Sequence, residues 1–134
     1  MIIEWTDAYE IGIPSLDDDH RKLVNVTNRF FEQAQDGADR IVLTDTLDQI
    51  VTLLGAHFKR EEEELDRHDY PDRLSHLTEH RQQMLQLQRF VDSVKSGTLP
   101  QDQTITQADQ ISHLLVRHII EDDFPFKSSL RTLT

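Results

Sequence analysis

Histidines and carboxylates recur along this chain at the spacing of one helical turn: His20 alone, His57 with Glu61, His76 with His80, and His118 ahead of Asp122 and Asp123. Residues four apart in an α-helix stand one above the other on one face, because about 3.6 residues make a turn. His57 and Glu61 therefore aim at one spot, and so do His76 and His80. Neutral imidazole is a ligand for iron, copper, zinc or nickel, and a carboxylate can bridge two cations while offsetting their charge. The chain has no cysteine, so a metal centre here must use nitrogen and oxygen. Five imidazoles and two carboxylates on four helical segments make an inward-facing site for two transition-metal ions.

The last segment leaves a choice open. Asp123 lies five residues after His118, about 140° around an ideal helix, whereas Asp122 at four shares its face. Pro125, however, cannot donate to the carbonyl of Glu121 and pushes Phe124 away from helical geometry. A helix that loosens near Asp123 would let that carboxylate swing inward. Periodicity alone does not choose.

Each residue also has a plainer reading. A lone core-facing histidine is more often a hydrogen-bonded core residue than a ligand, so the weight rests on the set. His68 and His113 fall outside the pattern, the first as a helix-end or surface residue, the second as solvent-facing or adjacent to the ligands. The glutamate run 61–64 is mainly a solvated helix face on which only Glu61 joins His57. Asp17, Asp18 and Asp19 are favourable charges at a helix N-terminus, with a hydrogen bond to a ligand histidine as the alternative.

The elements that must position these groups are helices. Ser15 fits an N-cap with Asp18 completing a capping box, and Leu16, His20, Leu23, Val24, Thr27, Phe30, Phe31 and Ala34 recur at helical spacing up to Gly37. A second helix is expected over 41–66, with Leu43, Leu47, Ile50, Leu54, His57, Phe58, Glu61 and Leu65 inside. Pro71 opens the third in its first turn, and Leu77, His80, Met84, Leu87, Val91 and Val94 lead to a stop at Gly97. A polar loop over 98–106 precedes a fourth helix carrying Ile111, Leu114, Leu115, His118 and Ile119. No strand alternation appears. The expectation is an all-α, antiparallel up-down-up-down four-helix bundle over about 16–130, with residues 1–15 as a packed arm, in a single domain 1–134.

Composition narrows the partners. At 134 residues the chain has the length of one domain, and its 37% hydrophobic and 29% charged residues suit a globular protein. A formal net charge of -11 argues against nucleic acid or an anionic membrane. No apolar stretch is long enough to span a bilayer and no signal peptide is visible, which makes the cytoplasm the default location.

The chain resembles the bacterial hemerythrins over nearly its whole length. The segments that carry the likeness are Trp5 with Gly12-Ile13-Pro14-Ser15-Leu16-Asp17-Asp18-Asp19-His20, His57-Phe58-Lys59-Arg60-Glu61-Glu62, Tyr70-Pro71 ahead of His76-Leu77-Thr78-Glu79-His80, and His118-Ile119-Ile120-Glu121-Asp122-Asp123. The resemblance selects Asp123 over Asp122. It implies two non-heme irons with an oxo or hydroxo bridge, His76, His80 and His118 holding one, His20 and His57 the other, and Glu61 and Asp123 bridging. It implies reversible dioxygen binding for storage, delivery or sensing rather than enzymatic turnover. Phe58, Leu115 and Ile119 would wall an apolar pocket that withholds water and protons. The alternatives are a diiron oxidase or peroxidase, or a redox or nitric-oxide sensing module acting through a separate protein partner. A closed zinc site, needing four ligands, fits a seven-ligand set poorly. One departure stands out: where the family often carries Trp-Leu, this chain has Leu114-Leu115.

Overall fold

A computed structural model describes residues 1–118. A single 3₁₀ turn, Asp7–Tyr9, precedes α1 (Pro14–Gln35), α2 (Arg40–Arg67), α3 (Arg73–Lys95) and α4 (Gln101–Arg117), and no strand occurs among the described residues. Connectors this short force successive helices to run antiparallel. Helix α1 packs along α2 and α4, and α2 along α3; α3 and α4 touch only sparsely. That ring of neighbours is the expected four-helix bundle. The segment before it packs as an arm: Ile3 is buried, and its N–H and carbonyl pair with the Asn28 side chain at 2.8 Å each.

Three helix starts differ from expectation. Helix α1 begins at Pro14, and Ser15 does not cap it; the N-cap is Ile13, whose carbonyl takes the N–H groups of Leu16 and Asp17. Proline is pre-organised for a first helical position, which moves the start forward. Asp17 turns back instead, accepting from the N–H of Ile11 at 2.8 Å and of Gly12 at 3.1 Å. Gly12 supplies the left-handed φ of 90° that this reversal requires.

Helix α3 begins at Arg73, two residues after Pro71, which sits in the preceding turn. The polar loop expected over 98–106 is mostly helix, since α4 starts at Gln101 directly after Pro100. Its buried stripe begins with small residues, Thr104, Ala108 and Ser112, joined by Ile111 and Leu115. Thr104 and Ser112 satisfy their hydroxyls on the carbonyls of Pro100 and Ala108, one turn back in each case.

The core has two tiers. A large apolar cluster including Leu23, Phe30, Leu47, Leu54, Leu87 and Val91 fills one stretch of the bundle. A small one of Ile11, Leu16, Leu65 and Tyr70 closes one end. On α1 and α2 the donors fall between residues of the two clusters, and those of α3 fall between Tyr70, ahead of that helix, and Leu87, so an apolar layer lies on either side of them.

Candidate metal centre

Each helix delivers its donors from the same end of the bundle: His20 from the start of α1, His57 and Glu61 from the second half of α2, His76 and His80 from the start of α3, and His118 from the C-cap of α4. All six are buried. Glu61 lies at the centre. Its Oε1 meets the Nε2 atoms of His76 and His80, the latter at 2.9 Å, while its Oε2 lies 2.9 Å from Nε2 of His57 and 3.5 Å from that of His118. The two oxygens of one carboxylate thus face different histidine groups. His20 and His118 each bring Nε2 to 3.0 Å from Nε2 of His57. Two donor groups result, His20, His57, Glu61 and His118 in one, and Glu61, His76 and His80 in the other.

The donor set fits cations. Cis ligands at right angles, each about 2.1 Å from an ion, stand about 3.0 Å apart, which is the spacing seen here. His57 donates its Nδ1 proton to Asp19, so its Nε2 presents a lone pair to two other imidazole nitrogens. Glu61 Oε2 is buried, yet accepts no well-formed hydrogen bond among the described residues. Converging lone pairs without protons to share are costly unless a positive charge sits among them.

Electrostatics agree with that. Burial acts to raise the Glu61 carboxyl, but the electrostatic pull of His118 and the close approach of the His118, His57 and His76 rings outweigh it and hold the group well below the usual carboxylate range. Asp19 behaves similarly: burial pushes it up, hydrogen bonds and charge from His57 and Arg60 pull it down, and the result is about 2. Both groups are carboxylates at neutral pH.

His118 brings its Nε2 into the group of His20 and His57, and its ring stands near both pairs, with centroids 5.1 Å from His57, 5.7 Å from His20 and 5.6 Å from His80. Asp122, Asp123 and Ile119 lie outside the described residues. Of the expected pocket walls, Phe58 stacks on His80 with centroids 3.9 Å apart and interplanar angle 10°, and turns an edge to His118. Leu115 is buried in the large apolar cluster. Half-buried Leu114 lines a cleft of about 350 Å³ between α3 and α4, together with Gln83, Gln110 and Arg117.

Some residues behind the donors escaped the sequence reading. Arg60 grips Asp19 through two hydrogen bonds, and Glu62 lies 3.2 Å from Nδ1 of His80. Both stand beside Glu61, and that adjacency to a ligand candidate was the available signal. Of the aspartates at the start of α1, Asp19 takes the alternative role of bonding a donor histidine. His68 caps the end of α2 near Glu64, and His113 is exposed beside Asp109, so neither reaches the cluster.

The family model described as "Hemerythrin HHE cation binding domain" matches residues 11–128. The chain belongs to the hemerythrin family. Similar chains include a myohemerythrin of Theromyzon tessulatum, 29% identical over 128 residues that cover 95% of this chain and 92% of that one. A bacteriohemerythrin of Clostridium acetobutylicum is 28% identical over 125 residues, covering 89% and 94% of the two chains. Another, of Stenotrophomonas maltophilia, is 25% identical over 130 residues, covering 97% and 82%. This hemerythrin-family bundle therefore carries a buried histidine and glutamate cluster that could hold metal.

Proposed function

We propose that the protein binds dioxygen reversibly at a non-heme diiron centre, in storage, delivery or sensing, and that it is not an enzyme. The observation that carries this reading is the placement of Glu61, with each carboxylate oxygen turned to a different group of buried histidines. By the family resemblance, His76, His80 and His118 would hold one iron and His20 and His57 the other, with Glu61 and Asp123 serving both. Two irons bound there would supply the electrons that dioxygen needs.

The chain's own groups do the rest. Five imidazoles and two carboxylates would leave no strong acid beside the centre, and Phe58, Leu115 and Ile119 would keep water and protons away from it. Proton delivery is what would turn binding into oxidative turnover. Oxygen-activating bundles characteristically use Glu-x-x-His motifs, and no histidine of this set has a glutamate three residues before it.

The test is an anaerobic ferrous iron titration followed by air and then argon, watched in the visible spectrum. Two irons per chain, with a charge-transfer band that appears in air and fades under argon, are expected. Irreversible conversion to the diferric state would replace this reading with an enzyme or redox sensor, and failure to bind two irons would sink the ligand set. In the same assay Asp123→Asn should impair iron loading more than Asp122→Asn; equal losses would reject Asp123 as the bridge.

A further inference from the structure

The two histidine pairs are backed by unlike partners. Nδ1 of His80 faces Glu62, a side chain 37% exposed, at 3.2 Å. Nδ1 of His57 faces Asp19, which is only 6% exposed, at 3.1 Å. Asp19 is in turn held by Arg60, whose Nε meets Oδ2 at 2.7 Å and whose terminal nitrogen meets Oδ1 at 2.6 Å. This is a planar guanidinium clamped on both oxygens of a buried carboxylate. It spans α1 and α2, from Asp19 next to His20 to Arg60 next to Glu61.

A carboxylate on the far nitrogen of an imidazole fixes the tautomer and raises the basicity of the near nitrogen. Its pull on the Nδ1 proton depends on how much negative charge it keeps. A guanidinium on the same carboxylate draws that charge away and also fixes its orientation. Arg60 is thereby connected to the lone pair of His57 without touching the cluster. Among the described residues no lysine or arginine pairs with Glu62.

We propose that Arg60 is a positioning residue that, acting through Asp19, holds His57 in its Nδ1–H tautomer and limits how strongly its Nε2 donates to a bound metal. This rests on the diiron reading for its consequence, but not for its first half. Without Arg60 the carboxylate pulls harder on the Nδ1 proton, His57 becomes the stronger donor, and the ferric state is favoured. With Asp19 neutralised the pull weakens and the ferrous state is favoured. The two substitutions therefore move one property in opposite directions, which simple loosening of the bundle would not do.

The experiment uses the full chain with Arg60→Met, Arg60→Lys and Asp19→Asn. In the metal-free protein, the His57 ring is followed by ¹⁵N–¹H NMR. The Nδ1 proton should move downfield in Arg60→Met and upfield in Asp19→Asn, with Arg60→Lys between the parent and Arg60→Met because it keeps the charge but not the fork. In the iron-loaded protein, the midpoint potential should fall in Arg60→Met and rise in Asp19→Asn, again with Arg60→Lys between the parent and Arg60→Met. Shifts of the same sign in Arg60→Met and Asp19→Asn, or a Nδ1 proton indifferent to Arg60, would overturn the proposal. Failure of iron to bind at all would remove the diiron reading, while the NMR comparison would still decide whether Arg60 governs His57.

Discussion

Asp19 is the residue at which burial and charge compete most openly. Its carboxyl, ordinarily near 3.8, is held at about 2 in the folded protein. Folding thus favours its ionised form, so its contribution to stability is present above about pH 4 and is lost as pH falls from there toward 2. Because Arg60 is 44% exposed, solvent screening limits that contribution. In the metal-free protein, Asp19→Asn should cost on the order of 1 kcal/mol at neutral pH. It should also flatten the pH dependence of urea unfolding between about 4 and 2. An unchanged slope in that window would mean that Asp19 is not held by His57 and Arg60 in solution. Leu115 offers a different kind of residue test. Truncating this buried side chain to alanine should cost about 2–4 kcal/mol in urea unfolding. If it walls the pocket, Leu115→Ala should also speed conversion of the diferrous protein to the diferric form. A stability loss with an unchanged oxidation rate would leave Leu115 as core only.

At the scale of elements, α4 differs from its neighbours. Its inner stripe of Thr104, Ala108 and Ser112 lets its backbone approach α1 closely, and Ala108 is fully buried with the large cluster. Ala108→Leu should therefore overpack that contact, lowering unfolding stability by about 1–3 kcal/mol. A neutral or stabilising result would show slack between α1 and α4. The same stripe explains what the sequence concealed. Large apolar residues at helical spacing made α1 and α2 legible to within a residue or so, whereas a face of threonine, alanine and serine reads as polar loop. The capping residues misled at α1 because Ser15 looks like a cap only until Pro14 is given its preference for the first turn. Donor positions were legible because each pair is local, four residues apart on one helix. Arg60 was not, since its partner lies 41 positions away on another helix, and only the packed bundle brings Asp19 beneath it.

At the scale of the whole molecule, the cluster is where all four helices converge. A cation held there would act as a staple among them, since the donors come together only in the folded chain. Any species that binds the native state alone adds RT ln(1 + [L]/Kd) to stability, about 4 kcal/mol when the ligand stands at a thousand times its Kd. For a chain of this length that corresponds to roughly 10–20 °C in melting temperature. Anaerobic ferrous loading should therefore raise the melting point by that order, in a manner that grows with free iron, and a chelator should reverse it. Two substitutions separate this from general stability. Leu47→Ala, deep in the large cluster and away from the donors, should lower the metal-free and loaded proteins alike, by about 2–5 kcal/mol. His57→Ala should instead abolish most of the increment from iron, because His57 adjoins His20, His118 and Glu61. If His57→Ala kept the full increment, or if iron left the parent's melting point unmoved, the convergence of the four helices would be a packing feature with no metal to unite it.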